Sequence, residues 1–265
     1  MELGTSRILA EVRDGVGWIT FNHPERRNAM SLDMWQGMGI AAENFERDPQ
    51  VRVVVMKGAG GKAFVSGADI SEFEQHRADS EQKKSYDAIS ARGHAGLVAL
   101  SKPLIAMIEG YCVGGGLAIA LAADVRFASS ASRFSIPAAR LGLGYDYRGV
   151  AALARLVGPS TAKDILLSAR FLEADEALKV GLVNAVVDAA QLEAHVTAYA
   201  SQVAANAPLT VHAVKKALQA FEQYSDHTES ADAVTALVMR CFDSEDYREG
   251  RRAFLAKRPP QFQGR

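Results

Sequence analysis

The sequence predicts an α/β protein: a layered core of strands and helices followed by a mostly helical C-terminal part. Three observations carry that expectation. Short apolar runs at residues 51–56 and 103–108 alternate with longer stretches of helical period over the first two-thirds of the chain. From Val150 onward the pattern turns helical. Between the two, residues 108–124 join an apolar strand to a short apolar helix through three consecutive glycines, Gly114, Gly115 and Gly116.

Taken in order, residues 8–13 and 16–21 flank Asp14-Gly15 and read as a hairpin with a tight turn. Asn22-His23-Pro24-Glu25-Arg26-Arg27-Asn28 is a polar loop. Ser31 is the expected N-cap of a helix whose apolar positions Trp35, Met38, Ala42 and Phe45 recur at helical spacing. Residues 51–56 form a buried strand and 58–62 a glycine-rich loop. A short extended piece then ends at Gly67, and Ser71 with Glu74 reads as a capping box opening the next helix. Ala68 therefore falls on a turn, with its N–H available as a donor. A helix from about residue 80 to 100 leads to the strand at 103–108, and residues 125–128 form another strand. Residues 134–149 read as a loop carrying aromatic and charged side chains between apolar segments. Gly158-Pro159 opens one helix and Ala174 another, which Gly181 stops before a strand at 182–187; Ala207-Pro208 separates two more helices. No repeat or low-complexity linker interrupts the chain.

Composition narrows the function classes. The chain has 265 residues, enough for one large domain or one domain with a helical appendage. Lys and Arg number 30 against 31 Asp and Glu, so no basic excess favours nucleic acid. Cys112 and Cys241 are too few and too far apart for a disulfide framework or a zinc site, and Cys112 reads as a small buried hydrophobe. No signal peptide or membrane span is expected, which makes the cytoplasm the default.

The glycine run holds the chemistry. Each glycine costs roughly 1 kcal/mol against alanine inside a helix, so three at a helix start are not there for stability. They permit close backbone approach and leave N-terminal amides free to point at an anion or a developing oxyanion. The alternative is that they only let the helix pack tightly on a sheet. Phosphate binding is disfavoured, because no Lys or hydroxyl follows Gly116 and the G-x-G-x-x-G spacing is absent.

Three stretches together resemble the crotonase (enoyl-CoA hydratase/isomerase) superfamily: Ala63-Phe64-Val65-Ser66-Gly67-Ala68-Asp69-Ile70, residues 108–124, and residues 142–149 followed by 174–187. The similarity runs over most of the chain. It implies a crotonase-like spiral of β-β-α turns over residues 1–190, with a C-terminal helical region over 191–265 that drives trimers and often hexamers. It also implies acyl-CoA thioester substrates of the kind met in fatty acid metabolism, with no metal or redox cofactor. Carried over residue by residue, the oxyanion hole is the backbone N–H of Ala68 and of Gly115. Around it the resemblance implies an acyl-CoA site reaching Ala63, Phe64, Ser66, Gly67, Asp69, Ile70 and Gly114. Arg26 and Asn28 lie in the loop where relatives pass CoA. Phe254 and Lys257 lie in a tail that in relatives reaches a neighbouring subunit's CoA.

One departure bears on the reaction. Family hydratases place one glutamate three residues past the donor glycine and a second just after the proline of the later loop; here those positions are Ala118 and Ala138. A methyl group moves no proton. The loop offers Asp146, where a dehalogenase relative carries a nucleophilic aspartate, and Tyr145, where a decarboxylase relative carries a tyrosine. Arg140, Tyr147 and Arg148 lie in the same stretch, and an Asp146–Arg148 surface pair is the alternative for the aspartate. His94 lies on a helix near the expected acyl pocket and reads as a satisfied or exposed histidine rather than a base. The expectation is enolate or oxyanion chemistry (isomerisation, decarboxylation or thioester hydrolysis) in place of hydration. The alternatives are a hydratase using other groups and a non-catalytic acyl-CoA-binding paralogue.

Overall fold

A computed structural model describes residues 1–69, 80–141, 147–223, 240 and 243–265. The hairpin forms as its turn dictates, β1 (Ile8–Arg13) pairing antiparallel with β2 (Val16–Phe21). Helix α1 (Leu32–Arg47) follows with Ser31 as N-cap, but the serine hydroxyl turns to the Asp33 carboxylate instead of a backbone amide. Its expected stripe is buried, with Met38, Ala42 and Phe45 sealed from solvent.

Three β-β-α turns then wind in succession. The first is β3 (Val53–Gly58), β4 (Ala63–Val65) and α2 (Ser80–Ala99). The second is β5 (Leu104–Ile108), β6 (Tyr111–Val113) and α3 (Gly115–Leu121). The third is β7 (Val125–Ser129), β8 (Arg133–Ser135) and a 3-10 turn (Pro137–Leu141), continued by α4 (Tyr147–Val157) and α5 (Pro159–Ser168). The leading strand of each turn enters a six-stranded sheet of order β1-β2-β3-β5-β7-β10, parallel from β2 onward. The following strand enters a smaller sheet of order β4-β6-β8-β9. This is the α/β spiral of β-β-α turns that the resemblance implies. The chain closes it with β9 (Leu172–Glu173), α6 (Ala174–Lys179) and β10 (Ala185–Val187). Strands β6, β8 and β9 were not legible as strands, since two or three residues carry no readable alternation; β10 is shorter than expected for the same segment.

Period-two alternation splits the large sheet between two cores. Ile19, Phe21, Val54, Met56, Ala106 and Ile108 face inward toward α1 and the small sheet. Val16, Trp18, Val53, Val55, Ile105 and Phe127 face the other way. Helix α7 (Ala189–Ala204) covers this second face with Leu192, Val196 and Ala200, spaced four apart on one stripe. A boundary at residue 190 would therefore separate the sheet from the helix that buries its outer face.

Helix α8 (Pro208–Gln223) docks through a charge. The buried Lys215 ammonium donates to Asp124 Oδ2 and to the Lys102 carbonyl, each at 2.8 Å, while the same carboxylate oxygen accepts the Leu104 N–H at 2.7 Å. The last helix, α9 (Glu245–Leu255), takes in residues expected to lie in a tail. Phe254 is on it, with its side chain outside the described residues, and Lys257 follows, exposed, at φ 51°. The true tail folds back, the Asp246 carboxylate accepting the Gln263 and Gly264 amides and Glu249 accepting Arg258 and the Gln261 amide.

Lys215→Met leaves the Asp124 carboxylate and the Lys102 carbonyl without their shared donor in a half-buried site. The expected loss is about 3 kcal/mol of unfolding free energy. Urea denaturation reads it, and an unchanged midpoint would show that the pair does not hold α8 to the core.

Candidate active site

Parallel strands that neighbour one another end on the same edge, so the segments following them are brought together. In the small sheet Ala63 pairs with Tyr111, Val65 with Cys112, and Val113 with Ser135. Ser66-Gly67-Ala68, Gly114-Gly115 and Ile136-Pro137-Ala138 leave that edge together.

The glycines make the approach possible. A methyl group at residue 116 would lie 2.1 Å from the Val65 carbonyl oxygen, and no side chain fits there. Gly114 turns the chain with φ 53° and ψ −116°, a conformation closed to L side chains, and donates its N–H to the Ser135 carbonyl at 2.8 Å. Gly115 then opens α3; a methyl there would rest 4.0 Å from the Gly67 carbonyl carbon, which is bonded to the Ala68 nitrogen. Residues 67–68 and 115 are thus in van der Waals range.

Two amide donors are left over. Met30 and Ala68 form an isolated parallel bridge in which Met30 donates to the Gly67 carbonyl at 2.8 Å and accepts the Asp69 N–H at 2.9 Å. In that pattern Met30 uses both its backbone groups, and the Ala68 N–H faces away from it. Gly115 is the first residue of its helix, where an amide has no intrahelical acceptor. Neither N–H has a partner among the described residues. Ala118 lies three residues on and is half-buried like Gly115, while Gly116, Leu117, Ile119 and Ala120 are buried. One face of α3 is therefore open, and it carries Gly115 and Ala118.

The surrounding wall includes residues that the sequence read only as helix positions. Trp35 comes within 3.7 Å of where a Gly115 methyl would sit, and its indole N–H donates to Tyr86 Oη at 3.2 Å. Trp35 had registered as part of a core stripe, and Tyr86 gave no signal. His94 Nε2 is 3.2 Å from the Ala118 carbonyl oxygen, so the satisfied reading of this histidine holds for that nitrogen.

Several other expectations acquire different roles. Asn28 is fully buried, donating to the Ala59 and Ala63 carbonyls at 2.9 and 2.7 Å and accepting the His23 N–H at 2.9 Å. Its side chain ties the loop to β4 and is fully buried there. Ala63 and Phe64 are buried too, the Phe64 ring edge-on to Phe21 at 5.2 Å, so their side chains hold the strand and do not line the cleft. Gly67 and Asp69 are buried, Ser66 is half-exposed and Arg26 is exposed. Ala138 is half-buried on the 3-10 turn. Ile70, Tyr145 and Asp146, and the Ser71–Glu74 capping pair, lie outside the described residues. Cys112 is fully buried, and burial pushes its thiol well above the usual range, so it stays neutral behind the site. Among the described residues no cluster of three His, Cys, Asp or Glu side chains is placed to hold a metal ion, and no helix is long and apolar enough to cross a membrane.

Residues 11–265 match the Enoyl-CoA hydratase/isomerase family. Among its relatives, the short-chain-enoyl-CoA hydratase of Clostridium acetobutylicum is 35% identical over 258 residues, covering 97% of each chain. The carnitinyl-CoA dehydratase of Proteus mirabilis is 35% identical over 246 residues, covering 91% of this chain and 92% of its own. In three dimensions the chain is similar to an enoyl-CoA hydratase/carnithine racemase from Magnetospirillum magneticum, with a TM-score of 0.94 and 37% identity over 98% of this chain and 97% of the other.

The contrast between adjacent glycines is directly testable. Gly116→Ala overpacks against a backbone oxygen and is expected to cost about 3 kcal/mol or more, or to prevent folding. Gly115→Ala meets only ordinary contacts and should fold within about 1 kcal/mol of the parent. Thermal unfolding of the two variants compares them, and equal midpoints would contradict the packing described for α3.

Proposed function

The chain belongs to the enoyl-CoA hydratase/isomerase family of the crotonase superfamily and is an acyl-CoA-processing enzyme; from that premise we propose that it stabilises a thioester enolate or oxyanion between the N–H groups of Ala68 and Gly115. The observation that carries the reading is the pair of unpartnered amides on neighbouring segments at one edge of the small sheet. A thioester oxygen between them gains negative charge as an enolate or tetrahedral species forms. The donors are already fixed in the backbone, so they favour the transition state over the ground state.

Proton traffic separates this chain from a two-glutamate hydratase. With Ala118 and Ala138 at the two positions, the route that adds water through paired glutamates lacks its acid and base. Isomerisation, decarboxylation or thioester hydrolysis is favoured, with Asp146 or Tyr145 as the ionisable groups the resemblance supplies. A thioester enolate formed this way calls for no cofactor beyond the CoA of the substrate itself. Exposed Arg26 and Lys257 suit CoA phosphates, and Phe254 accompanies them by the resemblance. Exposed apolar residues Val214, Leu218 and Phe221 on α8 support a homotrimer or hexamer, which we assign to the cytoplasm. A second reading, hydration through other groups, is favoured by the names of the relatives, which are hydratases and dehydratases.

Exchange of the α-protons of butyryl-CoA in D2O tests the enolate reading. The parent should exchange them, and Gly115→Pro should be slowed at least about 100-fold, since proline deletes the donor at a helix position that otherwise accepts it. A folded Gly115→Pro enzyme with parental exchange would remove Gly115 from the oxyanion hole.

Crotonyl-CoA hydration distinguishes the two readings. It is expected to be slow, because each acid–base group typically contributes about 10²–10⁴-fold. Ala118→Glu with Ala138→Glu should raise it, and Asp146→Asn should abolish the native reaction while CoA binding survives. Rapid hydration by the parent would favour the second reading, and an active Asp146→Asn enzyme would exclude the aspartate.

A further inference from the structure

We infer that His94 is a proton-transfer residue of this site, acting from the α2 side of the cleft on an acidic C–H of the acyl chain. The inference rests on the acyl-CoA reading above and adds the group that the two alanines lack.

Its position is fixed by backbone packing. A methyl group at Gly93 would come within 2.3 Å of the Trp35 carbonyl oxygen, so α2 crosses α1 at direct backbone contact and residue 94 has little freedom to shift. From there the imidazole reaches α3, where Nε2 lies 3.2 Å from the Ala118 carbonyl oxygen. A carbonyl only accepts, so Nε2 carries a proton and the lone pair of the neutral ring belongs to Nδ1. Nδ1 has no partner among the described residues. It is not sealed in the protein either: His23 Nδ1 is the buried, unpartnered side-chain atom among those residues, and His94 is half-buried. The fold thus holds an imidazole by one nitrogen and leaves the basic one accessible.

The anchor also says which atoms the ring serves. Residue 118 follows Gly115 by three positions, about 4.5 Å of helix rise, on the one open face of α3. The thioester oxygen belongs at the Gly115 amide, and a helix carbonyl points toward the C-terminus, so a ring bound to the Ala118 oxygen stands more than one turn farther along, on the acyl-chain side. It is placed for a carbon-bound proton and not for attack at the thioester carbon. The step balances without a co-reactant. Nδ1 takes a proton from the α-carbon of a saturated acyl group, or from the γ-carbon of an enoyl group, and that C–H bond breaks. Its electron pair delocalises onto the thioester oxygen held by Ala68 and Gly115. The imidazolium then returns the proton to the α- or γ-carbon. The substrate class is therefore acyl thioesters bearing such hydrogens.

Crotonyl-CoA and butyryl-CoA in D2O, followed by proton NMR, provide the test. His94→Gln keeps an N–H donor for the Ala118 carbonyl but has no basic nitrogen. It should bind both thioesters with parental Kd, unfold at the parental temperature, and lose at least about 100-fold in deuterium uptake. His94→Ala should lose as much and recover part of the rate in added imidazole, which a purely structural role would not allow. Parental exchange in His94→Gln, or loss in His94→Ala that imidazole does not relieve, overturns the assignment and leaves the oxyanion reading in place. A parent that binds both thioesters and exchanges neither proton overturns the enolate reading and this inference together.

Discussion

The cleft depends on one steric constraint, the absence of a side chain at residue 116. Only because the backbone there can lie against the Val65 carbonyl does α3 begin at the very end of β4. Move the helix away by the width of a methyl group and the Gly115 amide no longer adjoins the Gly67–Ala68 peptide. The local cost of glycine in a helix, roughly 1 kcal/mol, is set against this approach and is offset by packing elsewhere in a large core.

The spiral supplies the direction of that approach. Each turn sends one strand to the large sheet and the next to the small one, so β4, β6 and β8 run parallel and finish on a common edge. Parallel strands need a crossover each time, and the crossovers are the helices that wall the site. Ligand positions outside the carboxyl ends of parallel strands recur for this reason, since loops there converge while amides and helix starts remain unpaired. The contact of α1 with α2 at Gly93 adds a second close approach, and it sets Trp35 and His94 beside α3, with Tyr86 holding the Trp35 indole.

A site whose electrostatic part is backbone is indifferent to side-chain substitution, and this separates two properties that are often merged. In the proposed reading, charge stabilisation by the backbone amides of Ala68 and Gly115 does not depend on the side chains at residues 118 and 138, whereas proton transfer through those two positions does. In the same reading the backbone sets the kind of charge to be stabilised, and the side chains on the walls decide where protons go. That division is the physical basis for reading the chain as an acyl-CoA enzyme while proposing a reaction other than two-glutamate hydration.

By itself the sequence determined the features that local chemistry dictates. Asp14-Gly15 set the hairpin, the stripe of Met38, Ala42 and Phe45 set α1, and the apolar runs set β3, β5 and β7. The glycine run marked the start of α3, and its order with Ser66-Gly67-Ala68 marked the family. Strands β6, β8 and β9 were beyond reach because their pairing, not their two or three residues, makes them strands. Asn28 and Phe64 were read as substrate contacts, since a polar loop residue and a motif phenylalanine look alike whether they face a ligand or the core. Only the tertiary structure buried them. Trp35 and His94 meet α3 from positions more than 20 residues earlier in the chain. No periodicity encodes such contacts, because they follow from how closely two backbones can pack.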